Sequence, residues 1–587
     1  MTLLATPSAV VPSVYQPELD PLGPLWLSSL LALLPLVTVF VTLGALRWKA
    51  HHAGLLALLV ALVVAIAVYG MPIQLALLSA SEGAVFGLFP IVWIVFTAIV
   101  LYQVTVVSGR FEDLRGVFAL ISDDQRVQAM LIAFCFGGLL EALAGFGAPV
   151  AITGVMLMAI GFSALRAATI VLLANTAPVA FGAIAIPIIT AGNLTGIDYN
   201  EIGAYVGHQT PILAWVVPLF LVFLADGVRG VRQTWPVALV TGLVFAVAQW
   251  VSATYISVEL TDIVASLAGL AAAVITLRFF TPEGKEEVAV SLREDREREA
   301  ALVGAGGSGG AADGAAAGSG SAKGAPAFES GPEDHSHLSG GRILMALFPY
   351  LLVIVIFSLA KLVGPIEDAL VGTDLKIAWP GLDGEVLNAA GEPVSSTTYT
   401  FSWLSSPGTL LLLSTVIIAV VYKVSARDVV GEIVGTAKKL RFSILTIASV
   451  LALAYVMNLS GQTITIGTWI AGTGAAFAFL SPILGWLGTA VTGSDTSANA
   501  LFATLQQTAA ERAGLDPTLL VAANTSGGVV GKMISPQNLT IAATAVGLIG
   551  RESDILRRVI WWSLGLLVAM CLIVGLQSTP VLSWMLP

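Results

Sequence analysis

Charge is scarce in this chain. Only 11% of its 587 residues are Asp, Glu, Lys or Arg, against roughly 25% in soluble globular proteins, and a soluble domain so poor in charge could not cover its own surface. Cysteine is scarcer still. Cys135 and Cys571 are the only two, both inside apolar runs, which argues against a disulfide framework or a metal site and for inert thiols. Basic residues are outnumbered, with 27 Lys and Arg against 37 Asp and Glu and a net charge of −10, so the basic face that a nucleic-acid partner requires is missing. No Gly-x4-Gly-Lys-Ser/Thr phosphate loop and no His-Glu-x2-His pattern occurs, and Gly-x-Ser-x-Gly arises only inside a glycine-rich low-complexity stretch. That argues against ATP drive and leaves an intramembrane enzyme a weak rival. The N-terminus lacks the short basic, apolar and small-residue pattern of a cleaved signal peptide, so the first apolar run is expected to stay.

What the chain has in abundance is apolar length. Apolar residues make up 57%, and the 59 glycines raise the share to about 67%. They fall in runs near 20 residues, the length a helix needs to cross a hydrocarbon core about 30 Å thick. Spans are expected near 25–46, 53–70, 84–107, 167–191, 206–225, 235–255 and 261–280, then near 342–363, 407–422, 441–459, 517–545 and 559–583. Two further apolar segments, 127–163 and 466–510, are interrupted by Gly145-Phe146-Gly147-Ala148-Pro149 and Gly493-Ser494-Asp495-Thr496-Ser497, and each reads as a helix-turn-helix hairpin.

The composition divides the chain into a first half, 1–282, a linker, 283–341, and a second half, 342–587. The linker is charged over 283–299 and rich in Gly, Ala and Ser over 304–341, the composition of a disordered, solvated connection. Its His335 and His337 are read as incidental rather than as metal ligands. The acidic loop 364–405 reads as non-cytoplasmic, and the Lys and Arg clusters all fall in connections on the opposite side. Both termini are then expected outside, after about twelve crossings of the cell membrane.

The most informative feature is a repeat. Ala-Asn-Thr-x5-Gly-x4-Pro occurs at Ala174-Asn175-Thr176, Gly182 and Pro187, and again at Ala523-Asn524-Thr525, Gly531 and Pro536, an offset of 349 residues. Gly145 and Gly493 match at an offset of 348, and Ser108-Gly109 and Ser460-Gly461 at 352. An odd number of crossings separates the copies, so the expected fold is an all-α polytopic membrane protein of two inverted-topology repeats with broken helices and two helical hairpins. Inverted repeats of this kind are a signature of secondary transporters, whose sites lie near the midplane on discontinuous helices.

Each break exposes a half-helix N-terminus that attracts an anion. The candidate substrate site therefore comprises Gly145, Phe146 and Gly147 at the first tip, and Asn175 and Thr176 at the first break. Ser494, Thr496 and Ser497 at the second tip, Asn524 and Thr525 at the second break, and Lys532 complete it. Asn-Thr-Ala-Pro at 175–178 and Asn-Thr-Ser-Gly-Gly at 524–528 are both read as interruptions, against the plainer possibility that they glue helices together. Ionisable groups at membrane depth mark ion or substrate paths. Glu141, one turn before the first tip, and Asp495, on the second, are the candidates for carrying a proton. Asp495 is expected to pair with Lys532.

The stretch from Gly138 through Glu141 and Gly145-Phe146-Gly147-Ala148-Pro149 resembles the L-lactate permease family. So do Gly485-Trp486-Leu487-Gly488 through Gly493-Ser494-Asp495-Thr496-Ser497, and Val521-Ala522-Ala523-Asn524-Thr525 running on to Gly531-Lys532-Met533-Ile534-Ser535-Pro536-Gln537. The paired Asn-Thr motifs more distantly resemble the elevator-type ion-transporter superfamily. The resemblance implies lactate, glycolate and similar small 2-hydroxy acids as substrates, moved with a proton and without cofactor or metal, and it is compatible with a homodimer. Residues alone reach an anion-compatible secondary transporter. A sodium-coupled or uniporting organic-anion carrier and an anion channel stay open.

Overall fold

The computed structural model describes residues 14–46, 48–110, 113, 121–145, 147–305, 339–387, 393, 394, 397–549 and 551–587. Among them nine helices are long and apolar enough to cross a membrane, or eleven if each of two bent pairs makes one span. The chain is a helical multi-pass membrane protein. The apolar runs return as helices such as Ala50–Ala67, Thr261–Phe279 and Glu552–Gln577. The count differs from about twelve for local reasons. Runs 206–225 and 235–255 join in one helical stretch, Tyr199–Ile256, that leaves helical conformation at Asp226 and Gly227. The runs near 407–422 and 517–545 are built from helices of only 10 to 15 residues.

Both interrupted segments form hairpins. In the first, Gly137–Ala144 ends at Gly145, and Ala148–Ala159 starts after Gly147, whose φ of +86° is left-handed, with Pro149 in its first turn. Proline fits there because the first-turn N–H has no helical partner. Phe146, assigned to this tip, lies outside the described residues. The second hairpin pairs Phe477–Thr492 with Asp495–Ala513 through Gly493, while residues from 466 belong to a separate helix, Gln462–Ala471. Ser494 caps the second arm by accepting from the Ser497 N–H.

The broken spans follow the hairpins. Ala164–Ala174 and Val179–Thr195 meet at a 63° bend. There the chain passes through a 3-10 turn, Val179–Phe181, and then three left-handed residues, Ala183, Ile184 and Ala185. In the second span Pro517–Gly531 runs unbroken, and the interruption falls later, at the 3-10 turn Lys532–Ile534 before Pro536–Ala545.

Burial separates core from lipid-facing elements. The first hairpin's leading arm, within Gln125–Leu143, is 94% buried, whereas Ala50–Ala67 is 39% buried. A hydrophobic helix buried all round belongs to the protein core, not the lipid boundary.

Two connections carry structure of their own. In the loop 364–405 the helix Gly364–Val371 precedes two antiparallel strands, β1 (Leu375–Ala378) and β2 (Thr398–Phe401), with Leu375 opposite Phe401. Tyr399 Oη donates to the Phe89 carbonyl at 2.8 Å, tying the loop to a span. The charged start of the linker, expected to be disordered from 283, is instead the helix Lys285–Ala305. Val288 and Leu292, one turn apart, are both 1% exposed. Arg166 pairs with Asp295, Arg229 with Glu287 at 3.3 Å, and Arg126 Nη2 donates to the Glu283 carbonyl at 2.6 Å. One apolar face and matching charges dock what composition alone marks as solvated. Residues 306–338, with His335 and His337, lie outside the described residues.

Candidate functional site

The hairpin tips and the first break meet at a cavity of about 40 Å³. Glu141, Gly145, Gly182, Ser494, Asp495, Thr496 and Lys532 are among its lining residues. Glu141 projects from the last turn before the first tip and is 2% exposed. Lys532 Nζ donates to its Oε1 at 2.6 Å, and Asn175 Nδ2 donates to its Oε2 at 2.9 Å. One carboxylate thus joins the first hairpin, the first break and the second break. Gly182 lets it sit there, since a Cβ would come within 2.9 Å of Oε1.

This corrects the expected pairing of Asp495 with Lys532. The ammonium bonds across to the first half of the chain, to Glu141. Asp495 stays within electrostatic reach of Lys532, but its Oδ1 accepts from Thr489 Oγ1 at 3.3 Å and its buried Oδ2 has no hydrogen-bond partner. The physical reason is the helix Pro517–Gly531, which packs at backbone contact against the hairpin arm Phe477–Thr492. A Cβ on Gly485 would lie 1.8 Å from the Asn524 carbonyl oxygen, and one on Gly528 would lie 1.8 Å from Asp495 Oδ1. The Ser526-Gly527-Gly528 motif is therefore a close-approach seam, not the expected interruption, in keeping with small residues at membrane helix contacts.

Asn524 and Thr525 are 0% exposed and do not line the cavity. Asn524 Nδ2 donates to Asn499 Oδ1 at 2.8 Å, and Gln506 Nε2 donates to Asn524 Oδ1 at 3.3 Å. Asn499 Nδ2 lies 2.8 Å from Thr525 Oγ1 and 3.0 Å from the Pro187 carbonyl, so it joins the two broken spans. Asn499 and Gln506 were not singled out from sequence, where amides inside an apolar hairpin carry no distinguishing pattern. Thr176 donates to the Leu173 carbonyl at 2.7 Å and faces a smaller apolar gap. Ser497 supplies the N–H that Ser494 accepts, and Gly147 makes the left-handed entry to the second arm of the first hairpin.

Sequence reasoning also missed Asp262. It opens the helix Thr261–Phe279, where a charge at the edge of an apolar run reads as an interface residue, yet it is 0% exposed. Its Oδ1 accepts from Gln249 Nε2 at 3.3 Å, and the same nitrogen donates to the Ala177 carbonyl in the first break at 3.0 Å.

A larger cavity, about 590 Å³, lies one turn further along Gly182–Thr195. Ile189 and Asn193 line it from that helix, facing Tyr399 and Ser402 of the 364–405 segment. Asp374 is the one charged residue on its wall among those described, so the charge is concentrated in the small cavity beyond. Among the described residues no cluster of His, Cys, Asp or Glu has a metal-holding arrangement.

A charged intramembrane site held between two hairpin tips and a broken helix places the protein among polytopic membrane proteins built around an internal polar centre. The model of the L-lactate permease family matches residues 28–581, and the chain belongs to that family. It is 41% identical to an L-lactate permease of Bacillus subtilis (strain 168), covering 96% of this chain and 98% of that one. It is 42% identical to the glycolate permease GlcA of Escherichia coli (strain K12), over 93% and 94% of the two chains. To an L-lactate permease of Escherichia coli (strain K12) it is 39% identical, over 98% and 100%.

Proposed function

We propose that this protein is a secondary active transporter of the cell membrane, importing L-lactate and related 2-hydroxy monocarboxylates such as glycolate together with protons by alternating access. The observation that carries this reading is the buried Glu141–Lys532 pair at the junction of the hairpin tips. A substrate carboxylate can replace Glu141 as the partner of Lys532, and the released Glu141 can then bind a proton. One anion and one proton enter together, so the buried charge stays balanced, as the cost of an uncompensated ion at this depth requires. Ser494 and Thr496 offer hydroxyls, and the start of the helix Asp495–Ala513 offers free N–H groups, to a bound 2-hydroxy acid. Asp495 is a second proton-carrying candidate. Asn175 orients Glu141, while Asn524 and Thr525 hold the frame.

The names of the relatives support the substrate class. The duplicated order of hairpin and broken span supports two inverted repeats moving in alternating access, with the termini outside and the larger cavity as the outer approach. The test is lactate uptake into proteoliposomes with pH and sodium gradients imposed separately. Accumulation driven by an inward proton gradient, insensitive to sodium and accompanied by counterflow, is the expected result. Sodium-driven uptake at fixed pH would replace proton coupling by sodium coupling. Flux without saturation or counterflow would make the protein a channel.

A further inference from the structure

Asp262 lies on the face of Thr261–Phe279 that packs on the first hairpin. A Cβ on Gly138 would come within 2.3 Å of Ser266 Oγ, so the two helices touch at that point. Glu141 is one turn beyond Gly138 and Asp262 one turn before Ser266, and residues three or four apart share a helix face. Both carboxyl groups thus lie one turn from this contact, and Asp262 is within electrostatic reach of both Glu141 and Lys532. Its Oδ2 is buried with no hydrogen-bond partner, as are Gln249 Oε1 and Ser266 Oγ beside it.

The charge count is unbalanced. Glu141, Asp262 and Asp495 are at most 3% exposed, and among the described residues Lys532 is the one ammonium they share. One cation cannot offset three ionised carboxylates in a low-dielectric interior, so the cluster must hold protons. The other groups packed around Asp262 do not supply the balance. Among the described residues, the first hairpin's leading arm adds the neutral thiol of Cys135 and, at its far end, Arg126, which is already paired with Asp124 and Asp226, and Gln249 faces Asp262 from Val217–Val251. Asp226, Arg229 and Arg232 lie near the opposite end of that helix, Tyr255 is exposed, and Glu259, 1% exposed and just before Asp262 in the chain, is a further carboxyl that accepts from Tyr199 and Ser257.

We propose that Asp262 is a further proton-carrying residue of this transporter, exchanging the coupling proton with Glu141. This rests on the proton-coupled reading of the Glu141–Lys532 site. When substrate takes Lys532, the O–H bond of the Asp262 carboxyl breaks and an O–H bond forms on the released Glu141 carboxylate. Asp262 then recovers a proton from water. Gln249 ties the same event to the first break through the Ala177 carbonyl.

The test uses the full chain in proteoliposomes and compares two fluxes of Asp262→Asn with those of wild type. Net uptake driven by a pH gradient needs the proton to be bound and released in each cycle, whereas lactate/lactate exchange lets the loaded carrier shuttle without releasing it. The expected result is net uptake lowered at least tenfold, with exchange within twofold of wild type. Parallel loss of both fluxes in a folded, inserted variant, or no loss of either, would overturn the proposal. Asp262→Glu keeps a titratable group if the amide does not fold; its net-uptake pH profile should be displaced, and an unchanged profile counts against Asp262. A wild-type protein without any response to the pH gradient would overturn the proton-coupled reading itself, whatever Asp262 does.

Discussion

Lys532 Nζ and Glu141 Oε1 lie 2.6 Å apart in space and 391 residues apart in sequence. The charged centre is thus shared between the two halves of the chain, one supplying the bonded carboxylate and the other its ammonium. Breaking a buried pair by removing one partner typically costs about 3–5 kcal/mol, because the survivor is left uncompensated. Lys532→Met is expected to abolish lactate binding and lower thermal stability in detergent. Lys532→Met with Glu141→Gln should recover much of the stability and none of the transport. Unchanged lactate affinity in the single variant would move the anion contact to the helix N-terminus at Ser494 and Thr496.

The two repeated asparagines should respond differently. Asn175 donates to a charged group, a bond worth about 1.5–3 kcal/mol, so Asn175→Ala should slow uptake by about 10–100-fold in a protein that still folds. Asn524→Ala removes one hydrogen bond each from Asn499 and Gln506, which keep their bonds to Thr525 and Ser481. Its main effect should be on stability, about 1–3 kcal/mol, read as a lower melting temperature.

Gly485→Ala should fail severely, since its methyl would lie 1.8 Å from the Asn524 carbonyl oxygen and 2.7 Å from its carbon, backbone atoms that cannot swing aside. Gly565→Ala, with nothing within 4 Å, is the matched control and should express and transport like wild type. Comparable yields of folded protein from the two would show that the seam is looser than its geometry implies.

Deleting 306–338 and bridging the gap with a short polar linker should preserve uptake, since Gly, Ala and Ser composition contributes no packed core and loop length has a small entropic effect. Asp295→Arg, by contrast, sets two like charges against each other at Arg166 and should loosen the Lys285–Ala305 helix, detectable as faster proteolysis within it.

The hairpin tips and the first break were legible in sequence because their signals are local. Left-handed glycines at Gly147 and Gly493, and Pro178 in the first break, interrupt apolar runs whatever surrounds them. The second half was harder to read, because glycine also marks places where another backbone comes close. Nothing near Gly527 and Gly528 in sequence reveals that Pro482 and Asp495 press against them. Proximity along the chain likewise favoured Asp495 as the partner of Lys532, whereas tertiary packing delivers Glu141. Arg126, one of the cations whose position next to an apolar run reads as a connection, is 0% exposed and bonded to Asp124 at 2.7 Å and Asp226 at 3.2 Å. Asp262 was hidden by its position at the edge of an apolar run.

The separation of Glu141 from Lys532 also has a consequence for how the protein is made. Translation at about 5–20 residues per second leaves about 20–80 s between the synthesis of the carboxylate and that of its ammonium. Through that interval the first half sits in or beside the bilayer without its counter-ion. Glu141 must then enter as the neutral acid or stay in contact with water until the second half arrives. Assembly of the charged centre is therefore among the last steps of biogenesis, and a chain truncated before residue 532 would expose an unpaired carboxyl to membrane quality control.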